Sequence, residues 1–490
     1  MSRIGFDFNN LFSFNVGLRH GVSIKELFKM SPAVEKAHRH LAGILAGERN
    51  RVRLNLEWAK LPFQSRETID EIQKLGRQIS SGCDNVVFLG IGGSFLGLKA
   101  AQDALCPPYY NEFDALRKRK PRIYFEGNNL DPDTLHTLLE HLNPRKTFLV
   151  VISKSGETTE PKAAFMVAQD WLKKYAGQKY GRQIVVITDP ESGTLRRYVQ
   201  EQQKKDRLSF RSLPLLKGVG GRFSEFNMGL LHLAIVGVDI TRILEGAKAM
   251  FKRCSSADIF KNPAYMYAAT QLVLCRKKGK SIAVMMPFSE TLKSTADWYV
   301  QLLAESLGKK YGRKVSVSHE GIETWSQDLR RAVNTGITPV SSRGTNDLHS
   351  IQQNNIEGRN DKIITFIKVE NFQADIAVPG RNDALSGKKF SWLMHLAQEA
   401  TEWALVRESR PNCTIVMPKV DPYHWGELIF FFEMAVAFEG ELLNLNAFDQ
   451  PGVEGYKNYM YYKLKKPGLT PKIIQAIRTT PLRKKKKFIL

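Results

Sequence analysis

Four short apolar runs dominate the first half of the chain: Asn85–Gly90 (NVVFLG), Arg122–Gly127 (RIYFEG), Thr147–Ile152 (TFLVVI) and Gln183–Thr188 (QIVVIT). Their apolar residues are continuous, not alternating, and stretches with helical spacing such as Glu160–Tyr175 separate them. A strand with one buried face alternates apolar and polar residues. A continuous β-branched run is buried on both faces, and helices have to supply the cover. The pattern therefore predicts a parallel sheet built from βαβ units. After a connecting region near Leu208–Phe260 it starts again, with runs at Ser281–Met286, Val315–Ser318, Ile337–Ser341, Lys362–Val369 and Thr414–Met417. Long helical stretches, Ser289–Leu307 and Trp425–Leu445, accompany this second set. At 490 residues the chain exceeds what one core usually fills. Two related α/β domains with helical segments at the chain's ends are the expected architecture.

Composition narrows the function classes. Forty-three per cent apolar residues suit a well-buried globular protein. The longest apolar stretch, Leu428–Phe438, is broken by Glu433 and is too short to span a bilayer. The N-terminus, MSRIGFDFNN, lacks the apolar region of a secretory signal. The five cysteines are scattered singly with no CxxC pair, which fits reduced thiols and a cytoplasmic location better than disulfides or a zinc site. The net charge of +23 is unusual. Its clusters (Arg117–Arg122, Arg276–Lys280, Lys309–Lys314, Arg483–Lys487) are dispersed and match no nucleic-acid module, so a solvated basic surface is expected and nucleic acid is not. Such a field would still draw small anions inward.

Two strand-to-helix turns carry anion chemistry. In FLGIGGSFLGLKA (Phe88–Ala100), Gly90, Gly92, Gly93 and Ser94 present free backbone N–H groups at a helix N-terminus, where phosphate binds. The dinucleotide fingerprint fails because Phe95 stands where its third glycine would be. A tight structural turn is the competing reading. In TFLVVISKSGETTEP (Thr147–Pro161), Ser153, Lys154, Ser155 and Thr158 supply more hydroxyls than helix capping needs, and no P-loop pattern is present. Both turns would lie at the carboxyl edge of one sheet, where α/β proteins collect ligands. One monophosphate shared between them is expected.

Other stretches hold candidate reacting groups. GVGGRFSEFNMG (Gly218–Gly229) places Arg222 after glycines that permit close backbone approach. In YVQLLAESLGKK (Tyr299–Lys310), Gln301 and Glu305 are four apart on one helical face, and Gly308 marks the helix end. A carboxylate in the last turn faces the negative end of the helix dipole, which strengthens it as a base. RGTNDLHS holds His349, and AFDQPGVEGYK holds Gln450, Glu454 and Lys457, all groups able to assist proton transfer. Each alone has a bland counterpart: a surface arginine, an exposed glutamate, a structural histidine, a solvated lysine.

Together the pieces resemble the phosphoglucose isomerase (glucose-6-phosphate isomerase) family. The resemblance rests on GIGGS (Gly90–Ser94), SKSGETTEP (Ser153–Pro161), GGRFS (Gly220–Ser224), QxxxESxGK (Gln301–Lys309), GTNDLHS (Gly344–Ser350) and FDQPGVEGYK (Phe448–Lys457), in the family's order over about three quarters of the chain. It implies two sugar-isomerase (SIS) type domains, each a parallel sheet flanked by helices. Residues 1–60 would form an N-terminal helical segment, 61–210 the first domain, and 211–265 a connecting segment with the GGRFS loop. The second domain would take 266–440, and the C-terminal active-site loop, helical segment and basic tail 441–490. The activity implied is metal-free and cofactor-free interconversion of glucose 6-phosphate and fructose 6-phosphate through ring opening and a cis-enediolate. By motif, Gly93, Ser94, Ser153, Lys154, Ser155 and Thr158 would hold the phosphate, with Gln301 and Gln450 as polar contacts. Glu305 would move the proton between C2 and C1, Arg222 would stand beside the enediolate oxygens, and His349 and Lys457 would assist ring opening. The family also implies a homodimer in which His349 is supplied across the interface. Leu307 departs from the polar residue common at that position, which carries no chemistry. Rival readings are a non-catalytic sugar-phosphate sensor and a broader isomerase that also takes mannose 6-phosphate.

Overall fold

The computed structural model describes residues 3–380 and 382–490. Twelve strands run through it: β1 (Gly5–Asp7), β2 (Asn85–Leu89), β3 (Arg122–Glu126), β4 (Thr147–Ile152), β5 (Ile184–Thr188), β6 (Arg211–Pro214), β7 (Ile282–Pro287), β8 (Lys309–Val317), β9 (Glu323–Thr335), β10 (Thr338–Ser341), β11 (Lys362–Asn371) and β12 (Asn412–Lys419). The first sheet is parallel throughout, in the order β3-β2-β4-β5-β6. Every residue of β2, β4 and β5 is buried, as the continuous apolar runs require. Val87, Leu149, Val151 and Val186 meet Phe165, Ala168 and Leu172 of the covering helix Thr159–Ala176 in one core cluster.

The chain winds outward from β2 to β3, then crosses back to continue from β4 to β6. The direction of winding reverses between β2 and β4, and such a reversal opens a crevice at the carboxyl ends of the two strands. Leu89 pairs with Val151 across that boundary, so the turns leaving β2 and β4 emerge side by side. These are the GIGGS and SKSGETT turns.

The second sheet has the order β1-β12-β11-β7-β10, parallel except for β1, which joins β12 antiparallel. Both sheets lie in one compact unit that runs to Ala447. Inside it the helix Pro422–Leu443 is buried on all sides over most of its length, which explains its nearly unbroken apolar sequence. No helix among the described residues is long and apolar enough to cross a membrane. The helix Lys293–Leu307 packs between Pro422–Leu443 and the helix Gly93–Leu105 that comes after β2. A second unit, Phe448–Leu490, contains the helices Glu454–Lys463 and Pro471–Thr479.

Several expectations are corrected. Val315–Ser318 does not enter the second sheet: most of it belongs to β8, which pairs antiparallel with β9 in a separate two-stranded ribbon. The run KKYGRKVSV carries two pairs of basic residues, and its last four residues are exposed, so it lacks the two-sided burial a central parallel strand needs. β6 was hidden in the expected connecting segment because Arg211 and Ser212 interrupt its apolar character. Pro214 ends it at the sheet edge, where a missing N–H is tolerated. β1 stands as an edge strand in the N-terminal stretch expected to be helical. The boundary expected after residue 440 falls inside the helix Pro422–Leu443.

Candidate active site

Arg222 sits in a turn, Gly221–Phe223, and is only 3% exposed. Its guanidinium is held on three sides. Nε donates to Ser306 Oγ at 2.8 Å, Nη1 donates to Glu305 Oε2 at 3.1 Å, and Nη2 donates to the Ala447 carbonyl at 2.5 Å. The planar fork is thus fixed by neighbours that do not rotate away together. Glu305 is partly exposed and stands in the last turn of Lys293–Leu307, as the spacing predicts. Its other oxygen, Oε1, accepts from Gln301 Nε2 at 3.2 Å, so the two side chains share a face. Lys309 Nζ donates to the Glu305 carbonyl at 2.8 Å, a cation placed where the helix dipole is negative.

The GIGGS turn locks onto this centre. Gly93 is buried, and a Cβ there would lie 1.8 Å from the Gly221 carbonyl oxygen and 2.8 Å from the Arg222 nitrogen. Only glycine lets the two backbones meet so closely. Gln301 reaches the same turn, with Nε2 3.0 Å from where a Cβ of Gly92 would stand. The glycines of this turn therefore serve contact with the arginine loop as well as open N–H groups. Ser94 is half-buried and its hydroxyl points to Met228 Sδ at 3.5 Å.

The second turn is built differently. Ser153 is buried and its Oγ accepts from the Gly156 N–H at 3.0 Å, while Ser155 Oγ accepts from the Glu157 N–H at 3.2 Å. Lys154 and Ser155 are exposed. Thr158 is the N-cap residue of Thr159–Ala176, yet its side chain makes no capping bond. The turn rests on the end of β5: Asp189 N–H and Thr194 N–H donate to the carbonyls of Lys154 and Ser155. Asp189 is held below the usual carboxylate range. Burial pushes it up, but N–H donors from Glu191 and Ser192, the Ser192 hydroxyl and the nearby Lys154 charge outweigh that.

The structure thus brings Gly92, Gly93, Arg222, Gln301 and Glu305 into direct contact and sets the Ser153–Thr158 turn beside them on the sheet edge. His349 ends the turn Asn346–His349 and is exposed, and its side chain makes no hydrogen bond or ion pair among the described residues. Gln450 and Lys457 belong to the second unit, where Lys457 pairs with Glu454 at 3.1 Å. Sequence reasoning missed two supports of Arg222. Ser306 was legible as a small polar residue beside Glu305; the Ala447 carbonyl leaves no signal in side-chain types.

The match to a family model decides the kinship: residues 63–466 fit the model of phosphoglucose isomerase. The chain belongs to the phosphoglucose isomerase family. It is 35% identical over 491 aligned residues to the glucose-6-phosphate isomerase of Carboxydothermus hydrogenoformans, with 99% of each chain covered. It is 36% identical to that of Symbiobacterium thermophilum, covering 84% of this chain and 87% of the relative. Among solved structures, a hypothetical protein of Thermus thermophilus aligns with a TM-score of 0.77 at 31% identity, covering 94% of this chain and 99% of the other. A glucose-6-phosphate isomerase from Chlamydia trachomatis shares the fold, with a TM-score of 0.67 at 23% identity over 86% and 81% of the two chains. The parallel sheets flanked by helices are therefore those of a phosphosugar isomerase fold.

Proposed function

We infer that the chain interconverts glucose 6-phosphate and fructose 6-phosphate, and that Glu305 moves the proton. The observation that carries this reading is the contact of a buried, three-sided Arg222 with a half-open Glu305 carboxylate at 3.1 Å. Removing a proton α to a carbonyl needs a base beside the carbon and a fixed positive group for the oxygens that become anionic. Glu305 takes the C2 proton of the open-chain aldose and returns it to C1, while Arg222 faces the enediolate oxygens. Ser153, Lys154, Ser155 and Thr158, with the backbone at Gly93 and Ser94, grip the phosphate at the rim of the first sheet. Binding energy from that remote group is then spent on orienting the far carbons. Gln301 holds the Glu305 carboxylate in place.

The homodimer and the roles of His349, Gln450 and Lys457 rest on kinship by motif. The exposure of the His349 side chain, without a partner among the described residues, supports its service to a second copy. Five free cysteines support a reducing, cytoplasmic setting.

The direct test is a coupled assay of fructose 6-phosphate conversion on the wild type and Glu305→Gln, each with and without chelator. Loss of one general base should lower kcat by about 10²- to 10⁴-fold, with sugar-phosphate binding retained in the variant. Unchanged turnover in Glu305→Gln would refute the assignment.

A further inference from the structure

Glu225 lies three residues beyond Arg222 in the same loop and is buried, yet the reaction gives it no task. Three helices face its carboxyl. From Gly93–Leu105, Gly97 approaches so closely that a Cβ would lie 2.6 Å from Glu225 Oε1. From Lys293–Leu307, the helix of Glu305, Trp298 donates its indole N–H to that same oxygen at 2.6 Å. From Pro422–Leu443, the fully buried Glu433 is its carboxyl neighbour. Gly97 and Trp298 carry no charge, so Glu433 is the ionisable group facing Glu225, and Glu225 the one facing Glu433. Neither carboxyl forms an ion pair among the described residues.

Glu225 Oε2 and both oxygens of Glu433 are buried and have no hydrogen-bond donor among the described residues. Two bare carboxylates facing each other in a buried core would be prohibitively costly. The pair itself can supply a donor between its facing oxygens, an acid proton. Burial drives both carboxyls toward the protonated form, and for Glu433 the neighbouring Glu225 adds to the effect.

We propose that Glu433 keeps its proton and donates it to Glu225, whose other oxygen takes the Trp298 indole, forming a clasp that holds the Arg222 loop against the Glu305 helix. Glu225 and Glu433 are positioning residues, and this role rests on the reading of Arg222 and Glu305 as the proton-transfer centre. The clasp needs a single donor between the two side chains. When alkali removes it, like charges oppose across the joint, and the loop carrying Arg222 loses its register on the helix.

The test compares wild type, Glu433→Gln and Glu433→Met by kcat, KM and thermal unfolding midpoint, from about pH 6 to about pH 9. Glu433→Met removes the donor and should lower kcat about tenfold or more while KM shifts less than about threefold, since misplaced reacting groups cost rate before they cost binding. Glu433→Gln restores an N–H donor and should recover most of that loss. In the wild type, kcat and melting temperature should both fall toward alkaline pH. A carboxyl with a raised folded pKa stabilises the fold fully below its unfolded value, and that contribution is lost as pH rises through the folded value. Glu433→Gln has no such proton to lose, so its alkaline fall should flatten. Wild-type kcat in Glu433→Met, a Gln variant as slow as the Met variant, or an identical alkaline fall in wild type and Gln would each overturn the clasp. Should Glu433→Met fail to fold, the pH profiles of wild type and Gln decide alone. Should purified wild type not isomerise, the functional reading fails, while the melting profiles still test the clasp.

Discussion

The two turns at the carboxyl edge of the first sheet emerge from adjacent strands, yet they are built to opposite rules. The Gly90–Ser94 turn is pressed against the Arg222 loop so closely that Gly93 has no room for a side chain. The Ser153–Thr158 turn keeps Lys154 and Ser155 in solvent and satisfies its buried hydroxyl internally. The difference suits the two tasks proposed for them. Proton transfer demands that reacting groups be fixed before substrate arrives. Capture of a solvated phosphate demands donors that are reachable and need not be rigid until the anion is bound.

That contrast can be broken at its rigid end. Arg222→Ala removes the fixed charge and frees Ser306, Glu305 and the Ala447 carbonyl at once. Loss of one preorganised donor to a developing oxyanion should lower kcat by about 10²- to 10³-fold, with a smaller rise in KM. Steady-state kinetics read this directly, and a rise in KM alone would reassign Arg222 to ground-state binding. Gly93→Ala attacks the same region through the backbone: its Cβ cannot coexist with the Gly221 carbonyl, so the loops have to separate. A displacement near 1 Å at the reacting groups costs about 10²-fold. Gly93→Ala should therefore lose rate and melting temperature together, and wild-type values for both would show that the close approach is not needed.

The soft end should answer differently. Lys154→Met and Ser155→Ala remove exposed donors whose side chains make no hydrogen bond to a buried side chain among the described residues. A charge-assisted hydrogen bond contributes about 1.5–3 kcal/mol, so Lys154→Met should raise KM about tenfold or somewhat more with kcat little changed. Ser155→Ala should do less. A fall in kcat equal to that of Arg222→Ala would erase the distinction between the turns.

How far the sequence revealed this arrangement depends on what each feature needed. Strands β2, β4 and β5 were legible because burial on both faces leaves continuous apolar runs. The Gln301–Glu305 contact was legible because helical geometry alone sets an i, i+4 pair. β6 was not, since a four-residue edge strand with two polar residues has no pattern to offer. The β8–β9 ribbon was misplaced because VSVS reads as a strand without saying which strand it joins. The meeting of Gly93 with Gly221 joins residues far apart in sequence through main-chain atoms. Glycines hint at such a contact but do not name its partner. The buried Glu433 was visible only as a polar interruption in an apolar stretch, which does not say what faces it, and Glu225 in the mixed loop GVGGRFSEFNMG gave no signal.

The smallest expected effect belongs to the β8–β9 ribbon, beyond the rigid centre. β8 begins two residues past the Glu305 helix, and its Arg313 donates to both oxygens of Glu441 at 2.6 and 2.9 Å while stacking on Trp325. His40 joins the group, with Nδ1 2.6 Å from Glu441 and Nε2 2.9 Å from Glu323. Only the imidazolium donates from both nitrogens, so the geometry favours the charged ring. The hydrogen bond to Glu441 raises its pKa, with the charges of Glu441 and Glu323 helping, against burial and the Arg313 charge. A histidine whose folded pKa is raised stabilises the fold fully below about 6.5, its ordinary value, and loses that contribution as pH rises through the folded value. The wild-type melting temperature should therefore drop by a few degrees over that window, and His40→Gln should lack this part of the drop while keeping the part owed to Glu225 and Glu433. If the neutral-pH slope of His40→Gln equals that of wild type, the ring is not held as a cation, and the ribbon is anchored by Arg313 and Glu441 without it.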